Sequence, residues 1–380
     1  MPLEVRVCTS ILELEPEAWN SLLTRDDSPF QQWGFLASLE RTGCTSARAG
    51  WQACHLLCYE SNSLVGALPL FLKDNSYGEF IFDWAWADAA ARCGINYYPK
   101  LVSMIPFTPV SGRSALIAGS LATERIYLAL VEAARSLVDA HECSSLHLLY
   151  QSESESEITQ RGGRLWHRTT HQYQWRNEGY ADFGEFLGRF RSKRRAQIRR
   201  ERREVAAAGV TTRLIPGDQL TEAEADALWR FYRSTVDQFS FQPRYLNRAF
   251  FTEVCAELGP VVQLLFAYKD GEPIAGTFNL VANDVFYGRY WGAIQHIPFL
   301  HFEVCCYRPI ELAIENGWTR VEAGAGGQHK WGRGFLPHLI HSAHKIVHPG
   351  LDEAVGRYLA DERLHLATAL DDSARWVFKA

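Results

Sequence analysis

The sequence predicts an α/β protein with mixed sheets, built from two similar units, and three observations lead to this fold class. First, residues 284–335 read as a strand, a helix, a short strand and a glycine-rich polar loop, the alternation typical of α/β folds. Second, HLLCYESNSLVGALPLF at 55–71 is repeated as QLLFAYKDGEPIAGTFNLV at 263–281. Third, 380 residues with 47% hydrophobic side chains are enough for two buried cores.

The spacing of apolar residues predicts the elements of the first half in order. Ser28-Pro29 is typical of a helix start, and Ser61-Asn62-Ser63 is typical of a hairpin turn. Residues 87–122 are aromatic and interrupted by prolines, and their pattern assigns no regular element. The predicted elements are strand 3–8, helices 15–23 and 32–42, hairpin strands 55–59 and 64–72, helix 124–141 and strand 146–149.

The second half is predicted to follow the same plan. Residues 285–292 alternate aromatic and polar side chains as a strand, and the next helix ends at Asn316-Gly317, a pair typical of a helix end. The repeat predicts that Gly66 corresponds to Gly276 and Tyr77 to Tyr287. The predicted elements are strand 169–176, helix 182–208, strand 210–215, helices 221–238 and 244–257, hairpin 263–281, strand 285–292, helix 299–316, strand 319–323 and strand 339–347.

Polar segments predict the domain boundaries. The acidic run SESESE at 152–157 indicates that a first domain, 1–160, ends near it. A second domain is expected at 161–348, including the basic helix 182–208. Residues 349–380 are expected to form a C-terminal helical tail.

Charge is distributed unevenly along the chain. The formal net charge is −5, yet residues 161–204 contain thirteen Arg or Lys and five Asp or Glu. Like charges recur at i,i+4 in this segment, which disfavours an isolated helix and favours an anionic partner such as tRNA or another phosphate-bearing ligand. A solvated charged surface is the alternative. The anion-binding candidates are Lys193, Arg194, Arg195, Arg199, Arg200, Arg202 and Arg203.

Cysteines and histidines give no specific metal signal. The nine cysteines show no CxxC pair, and we interpret them as small core residues in a reducing compartment. His338, His341, His344 and His348 follow one another on a predicted strand that divides them between its faces, so no metal site is predicted. No secretory signal or apolar run of spanning length is visible, and the expected location is cytoplasmic.

Four stretches carry a resemblance to a known family. They are SPFQQWGFLASLE, YYPKLVSMIPFTPVSGR, RSKRRAQIRRERREV and GTFNL…YGRYWG…LHFEVCCYRPIELAIENG…VEAGAGGQHKWGRGF, which together span nearly the whole chain. The sequence resembles the FemAB-like group of peptidoglycan biosynthesis or recognition, in its subgroup of predicted N-acyltransferases. This resemblance implies two tandem GNAT-like (Gcn5-related acyltransferase) domains.

The resemblance also implies an activity. FemAB enzymes transfer amino acids from aminoacyl-tRNA to the peptide of a peptidoglycan precursor. The expected function is therefore N-acyl transfer of an acyl or aminoacyl group to a small-molecule or peptide amine. No tightly bound cofactor is expected, and the donor is a co-substrate: aminoacyl-tRNA, acyl-CoA or acyl-carrier protein.

Candidate site residues follow from the resemblance and from the needs of the reaction. Acyl transfer to an amine requires a proton acceptor and a positive group beside the carbonyl oxygen. His329-Lys330 resembles the family's Phe-Lys pair, whose lysine lies at the acyl-transfer site, with His in place of Phe. The catalytic candidates are Lys330, Glu303 and His301. The substrate-binding candidates are Arg289, Tyr290, Glu322, His329 and Arg333.

Other interpretations remain open at this point. Arg289 and Tyr290 are expected on opposite faces of their strand, with Tyr287 and Trp291 on the face of Arg289. Lys330 is also compatible with an ordinary loop lysine, and Glu303 with a charge that favours a helix start. A non-catalytic module that recognises a peptidoglycan precursor or another anionic ligand is the alternative function. A metal-dependent hydrolase is a third possible function, and the histidine cluster is the only feature that supports it.

Overall fold

In the computed structural model, residues 2–119, 123–162, 165–238, 243–373 and 378 are described, apart from the side chains at 328 and 367–373. Two units divide the chain. Unit 1 comprises Met1–Thr170 and Leu339–Leu366, and unit 2 comprises His171–His338 and Ala367–Ala380. The division lies ten residues after the expected boundary at 160, and residues 349–366 belong to unit 1 instead of forming a separate tail. The part of the expected tail at 374–377 and 379–380 lies outside the described residues.

The first half of the chain has these elements: β1 (Leu3–Cys8), α1 (Pro16–Asn20), α2 (Trp33–Arg41), β2 (Gln52–Ala53), β3 (His55–Glu60), β4 (Ser63–Leu68), β5 (Phe71–Lys73), α3 (Trp84–Arg92), β6 (Lys100–Ser103), β7 (Leu116–Ile117), α4 (Thr123–Ala140), β8 (Ser145–Gln151) and α5 (Glu153–Arg161). α5 occupies the acidic run that the sequence indicated as a boundary. It forms because Ser152 and Glu155 make a capping box, and because the buried Glu155 carboxylate accepts the amides of Ser114 and Ala115.

The second half has these elements: β9 (Trp166–Arg176), α6 (Phe183–Gly188), α7 (Ser192–Ala207), β10 (Thr211–Pro216), α8 (Glu222–Val236), α9 (Arg248–Leu258), β11 (Val262–Lys269), β12 (Glu272–Ala282), β13 (Val285–Ala293), α10, β14 (Arg320–Glu322), β15 (Leu336–Ile346) and α11 (Pro349–Ser373). α10 is an α-helix at Leu300–Phe302, a π-helical turn at Glu303–Tyr307 and an α-helix again at Arg308–Glu315. The single helix expected at 182–208 is two helices, α6 and α7. Within the described residues, no helix has the length and apolar character that crossing a bilayer requires.

In unit 1, β1, β3, β4 and β7 form one antiparallel sheet in that order, and β15, β8, β6, β5 and β2 are neighbours in that order in another. Residues of α11 belong to this unit because Leu351, Val355 and Leu359 are buried together with Trp86 and Tyr97. In unit 2, the strand order is β10, β11, β12, β13, β14, β9, and β13 and β14 are parallel.

The two hairpins repeat one another closely. Both turns consist of two residues with positive φ, Ser61-Asn62 and Asp270-Gly271, and both hairpins contain a bulge at the same distance from the turn. Counted from the turns, Gly66 corresponds to Ala275 and not to Gly276. Tyr77 follows β5, which pairs with β2 and β6, so it does not correspond to Tyr287 on β13. The predicted fold class, α/β with mixed sheets and two units, is confirmed.

α10 determines where the site of unit 2 forms. Its π turn contains a bond from the Arg308 amide to the Glu303 carbonyl, and it directly precedes Pro309, which has no amide hydrogen to donate. The helix ends at Asn316-Gly317 as predicted, with Gly317 at φ 69° and the Trp318 amide 2.8 Å from the Ala313 carbonyl oxygen.

Candidate functional site

A cavity of about 250 Å³ opens in unit 2 between β13, β14, the first half of α10 and the loop after β14. The parallel strands β13 and β14 pair over only three residues, Val285–Tyr287 against Arg320–Glu322. Beyond this pairing β13 continues to Ala293, whereas the chain after Glu322 enters the glycine-rich loop. The strands therefore separate, and the space between them is open to a ligand.

A β-bulge shapes one wall of this cavity. Tyr290 pairs with Phe278 and Gly288 with Asn279, so Arg289 is the extra residue of β13. The extra residue shifts the alternation of side chains, and the consecutive residues 288–291 all line the cavity. The Tyr290 ring packs against Tyr232 of α8 and Phe278 of β12, at centroid distances of 5.2 Å and 6.4 Å, whereas the Arg289 guanidinium lies beside Gly324 of the cavity loop. These contacts agree with the expectation that Arg289 and Tyr290 lie on opposite faces of β13. Tyr287, before the bulge, is buried in the core.

Lys330 fixes the loop that forms the opposite wall. Its Nζ donates to the carbonyl oxygens of Ala323 at 2.6 Å, Gly324 at 2.9 Å and Ala325 at 3.3 Å. The side chain is buried, and burial lowers the pKa of its amine to about 8. Lys330 thus holds the backbone of this glycine-rich loop.

His301 supplies a neutral imidazole to the cavity. Burial, with further contributions from His329, Lys330 and Arg333, lowers the pKa of His301 to about 4. Its ring lies 4.6 Å from that of Trp291 and 5.3 Å from that of His329, measured between centroids. The pKa of His329 is also lowered by burial and by the same two cations. At pH 7 the His301 imidazole is therefore a proton acceptor beside positive charge.

Glu322 is the buried carboxyl group of the cavity. Burial raises its pKa, and the nearby Arg320 and Arg289 act in the opposite direction. The Arg320 Nε atom lies 3.1 Å from Glu322 Oε1. A carboxyl group held in this way is suited to binding an ammonium group of an acceptor.

Glu303 lies on another side of α10 and is absent from the cavity walls. Its carboxylate accepts from the Arg202 guanidinium, with Nη2 2.8 Å from Oε1, and Glu311 binds the same guanidinium at 3.0 Å. Residues two apart on a helix point to different faces, which separates Glu303 from His301. The catalytic role expected for Glu303 stays a prediction that this position does not favour.

Arg333 is also outside the cavity walls, but it ties the loop to α7. Its guanidinium donates to Glu201 Oε2 at 2.9 Å and to the His329 carbonyl at 2.8 Å, and it lies 3.2 Å from the centroid of the Phe302 ring. The Tyr307 hydroxyl donates to Glu201 as well. Sequence reasoning missed Glu201, although its spacing with Ile198 and Val205, three and four residues away, places it on the buried side of α7.

The basic side chains of α7 fall into two groups. Arg202 is held by two glutamates, Arg194 binds Gln197 and packs against Gly332, and Arg200 lies 3.5 Å from Glu204. In the part of the chain that the structure describes, the other four candidates make no ion pair. These four are Lys193, Arg195, Arg199 and Arg203.

The cysteines of the cavity are thiols. Cys305 and Cys306 line it, and burial raises the pKa of Cys306 to about 12 and that of Cys305 well above its usual value. Eight of the nine cysteines are buried or half-buried, but Cys93 is exposed, unlike the core position expected for it. Among the described residues, no three His, Cys, Asp or Glu side chains come together as metal ligands.

Comparisons with known proteins show the family of this chain. Residues 10–379 match the model of the FemAB-like family, described as peptidoglycan biosynthesis/recognition. No curated protein matches.

Solved structures share the fold at low sequence identity. A crystal structure of FemX is 11% identical, with a TM-score of 0.56, and the match covers 94% of this chain and 100% of FemX. The C-terminal domain of a protein assigned as lysylphosphatidylglycerol synthetase from Agrobacterium fabrum is 12% identical, with a TM-score of 0.55, and the match covers 93% and 97%. L-PGS from Bacillus licheniformis is 11% identical, with a TM-score of 0.51, and the match covers 85% and 95%. Because the family model covers almost the entire sequence, this chain belongs to the FemAB-like family of peptidoglycan biosynthesis and recognition.

Proposed function

We propose that this protein is an aminoacyltransferase that moves an aminoacyl group from aminoacyl-tRNA to an amine acceptor of peptidoglycan or lipid synthesis. The observation that carries the proposal is the cavity between β13 and β14, where a neutral imidazole lies beside cationic side chains. Membership of the FemAB-like family supports the reaction type, and the fold shared with FemX agrees with it.

The proposed step uses the groups of the cavity as follows. The acceptor ammonium first releases one proton to solvent, and the lone pair of the resulting amine attacks the carbonyl carbon of the aminoacyl ester. A C–N bond forms, His301 takes the second proton from the attacking nitrogen, and this proton passes to the 3′ oxygen of the tRNA as the C–O bond breaks. Arg289 faces the negative charge that develops on the carbonyl oxygen, and Glu322 binds the acceptor before transfer.

Lys330 has a positioning role in this proposal. Its ammonium has three donors, and three carbonyl oxygens of residues 323–325 accept them. We expect it to keep the loop open around the substrate. The basic face of α7 is proposed to bind the phosphates of the tRNA.

The decisive experiment presents each donor separately to the purified protein. Aminoacyl-tRNA, acyl-CoA and acyl-carrier protein are incubated with an amine acceptor, and the release of each acyl group is followed. Discharge of aminoacyl-tRNA is expected, and its dependence on His301 separates catalysis from spontaneous hydrolysis. If acyl-CoA alone were discharged, the donor would be acyl-CoA and not aminoacyl-tRNA.

One observation favours a second function, recognition without transfer. With its three N–H groups bound to the loop, Lys330 offers no N–H to an oxyanion. A protein that binds a peptidoglycan precursor with measurable affinity, and discharges none of the three donors, would be such a recognition module.

A further inference from the structure

A second cavity of unit 2, which we call the α7 cavity, has no role in the transfer step. It measures about 470 Å³, a size typical of small-molecule sites, and lies between α6, α7 and β10. Its apolar walls are formed by Phe183, Leu187, Val205 and Val210.

Charged groups at this cavity are unequally neutralised. Arg202 and Glu303 both line it, but they bind one another at 2.8 Å, and the Arg202 guanidinium lies 4.6 Å from the Phe183 ring centroid. Arg199 and Arg203 are exposed and stand one helical turn apart on the same edge. Neither makes an ion pair within the described ranges, so two positive charges border an apolar space.

This combination selects the chemistry of a ligand. Inorganic phosphate or a nucleic-acid backbone would bind the two guanidinium groups and leave the apolar walls exposed to water. A hydrocarbon would cover the walls but would gain nothing from the arginines. Paired guanidinium groups match the oxygens of a phosphate, and an attached alkyl chain would remove the apolar walls from water.

We propose that the α7 cavity binds a phosphate-headed lipid. The phosphate lies between Arg199 and Arg203, and the alkyl chain packs against Phe183, Leu187 and Val210. The site does not depend on the transfer chemistry, so its test requires no enzymatic activity.

The test is a calorimetric titration of the whole protein with inorganic phosphate, butyl phosphate and octyl phosphate below micelle formation. Affinity is expected to rise about fourfold for each methylene group buried, and octanol is expected to bind more weakly than octyl phosphate. Octyl phosphate that binds no more tightly than inorganic phosphate would overturn the proposal.

Variants locate the binding. Replacing both arginines, Arg199→Gln with Arg203→Gln, should lower the affinity for octyl phosphate at least tenfold and leave octanol binding unchanged. Ala206→Phe places a ring in the cavity from an exposed helix position and should weaken both ligands. The matched control, Lys193→Gln with Arg195→Gln, makes the same charge change on α7 outside the cavity and should bind like the natural protein.

Two results would contradict the proposal. If the control variant lost affinity for octyl phosphate equally, the loss would be due to the overall positive charge of α7 and not to a site at Arg199 and Arg203. A short RNA oligonucleotide that binds through Arg199 and Arg203, with octyl phosphate failing to compete, would assign these arginines to nucleic acid.

Discussion

Burial leaves the two basic side chains of the site in different protonation states at pH 7. It lowers the pKa of His301 to about 4 and that of Lys330 to about 8. At pH 7 the imidazole is therefore neutral, while the amine is still mostly protonated. The cavity thus holds a proton acceptor and a cation close together, which acyl transfer to an amine requires.

The first prediction concerns His301. His301→Gln should lower turnover about 10²–10⁴-fold, because the proton acceptor is lost. In the natural protein the base is neutral above its pKa, so activity should fall only as the pH drops towards 4. His296→Gln, at an exposed position on the same loop region, is the control and should keep full turnover. Equal activity of both variants would place the base elsewhere.

The second prediction concerns Lys330. Lys330→Met leaves three loop carbonyls without their donor, and the buried carbonyl of Gly324, left unsatisfied, costs about 1–3 kcal/mol. The free energy of unfolding should fall in urea titrations, and amide exchange at 323–327 should accelerate. Lys269→Met, near the hairpin turn, serves as the control. Unchanged exchange in the loop would contradict the positioning role.

At the scale of elements, α10 and α7 are joined by a hydrogen bond from Tyr307 to Glu201. Helical periodicity predicted α10 and its end at Asn316-Gly317, but a 3.6-residue period does not predict the π turn at Glu303–Tyr307. Likewise, the residues of α7 were predicted as part of one basic helix, 182–208. Its buried Glu201, which binds both Tyr307 and Arg333, depends on partners that are distant in the sequence.

The third prediction concerns Glu201. Glu201→Gln leaves the buried Arg333 guanidinium without its counter-ion, which typically costs about 3–5 kcal/mol. Urea unfolding should show this loss, and turnover should fall because Arg333 also holds the His329 carbonyl. Glu204→Gln, on the exposed side of the same helix, should change stability little. Similar stabilities of the two variants would refute the connection.

The fourth prediction concerns RNA binding by α7. Lys193→Gln combined with Arg195→Gln should reduce the salt dependence of tRNA binding, with a slope change of about 0.7–0.9 for each phosphate that is no longer neutralised. Stability should remain nearly constant, since neither residue makes an ion pair within the described residues. Arg202→Gln is expected to destabilise the protein instead, because Glu303 and Glu311 lose their shared partner. If the salt dependence of tRNA binding did not change, the basic residues of α7 would form an ordinary solvated surface.

At the scale of the whole molecule, the sequence predicted the repeated hairpin because a hairpin turn depends on the few residues that form it. The sequence did not predict which residues of the two hairpins correspond, since β-bulges shift the register and are visible only in the strand pairing. α3, at 84–92, extends into the stretch 87–122, whose aromatic and proline-interrupted pattern predicted no regular element. Lys330 was identified from the family resemblance and His301 from the needs of the reaction. The bonds of Lys330 to the loop depend on how the backbone of 323–325 folds, which no sequence pattern predicts.

The fifth prediction concerns stability at low pH. Burial lowers the pKa values of eight histidines among the described residues. The pKa is about 4 for His55, His301 and His338, about 3 for His147, well below normal for His344, and lowered for His167, His171 and His329. Below pH 6.5 the unfolded chain binds protons that the folded chain does not, so stability should fall, by up to about 1.4 kcal/mol per pH unit for each group. Glu79, Glu155 and Glu322, whose pKa values burial raises, oppose this trend but are fewer.

Urea unfolding between pH 7 and pH 5 measures this effect. His55→Gln should be less stable at pH 7 and should lose less stability on acidification than the natural protein. His296→Gln, with an exposed ring, should follow the natural pH dependence. A stability that is flat or rises between pH 7 and pH 5 would contradict the balance of eight histidines against three carboxyl groups.

The bulge at Arg289 has a consequence for how such a site can arise or disappear. One surplus residue in β13, Arg289, stands at the opening between Gly288 and Tyr290, which keep their pairing with β12. Removing that residue would restore regular pairing with β12 and take its guanidinium away from the cavity. The insertion of one residue thus distinguishes a strand that borders a binding cleft from a regular strand of the sheet. Insertions and deletions, more than substitutions, are therefore the changes by which this fold gains or loses a ligand site.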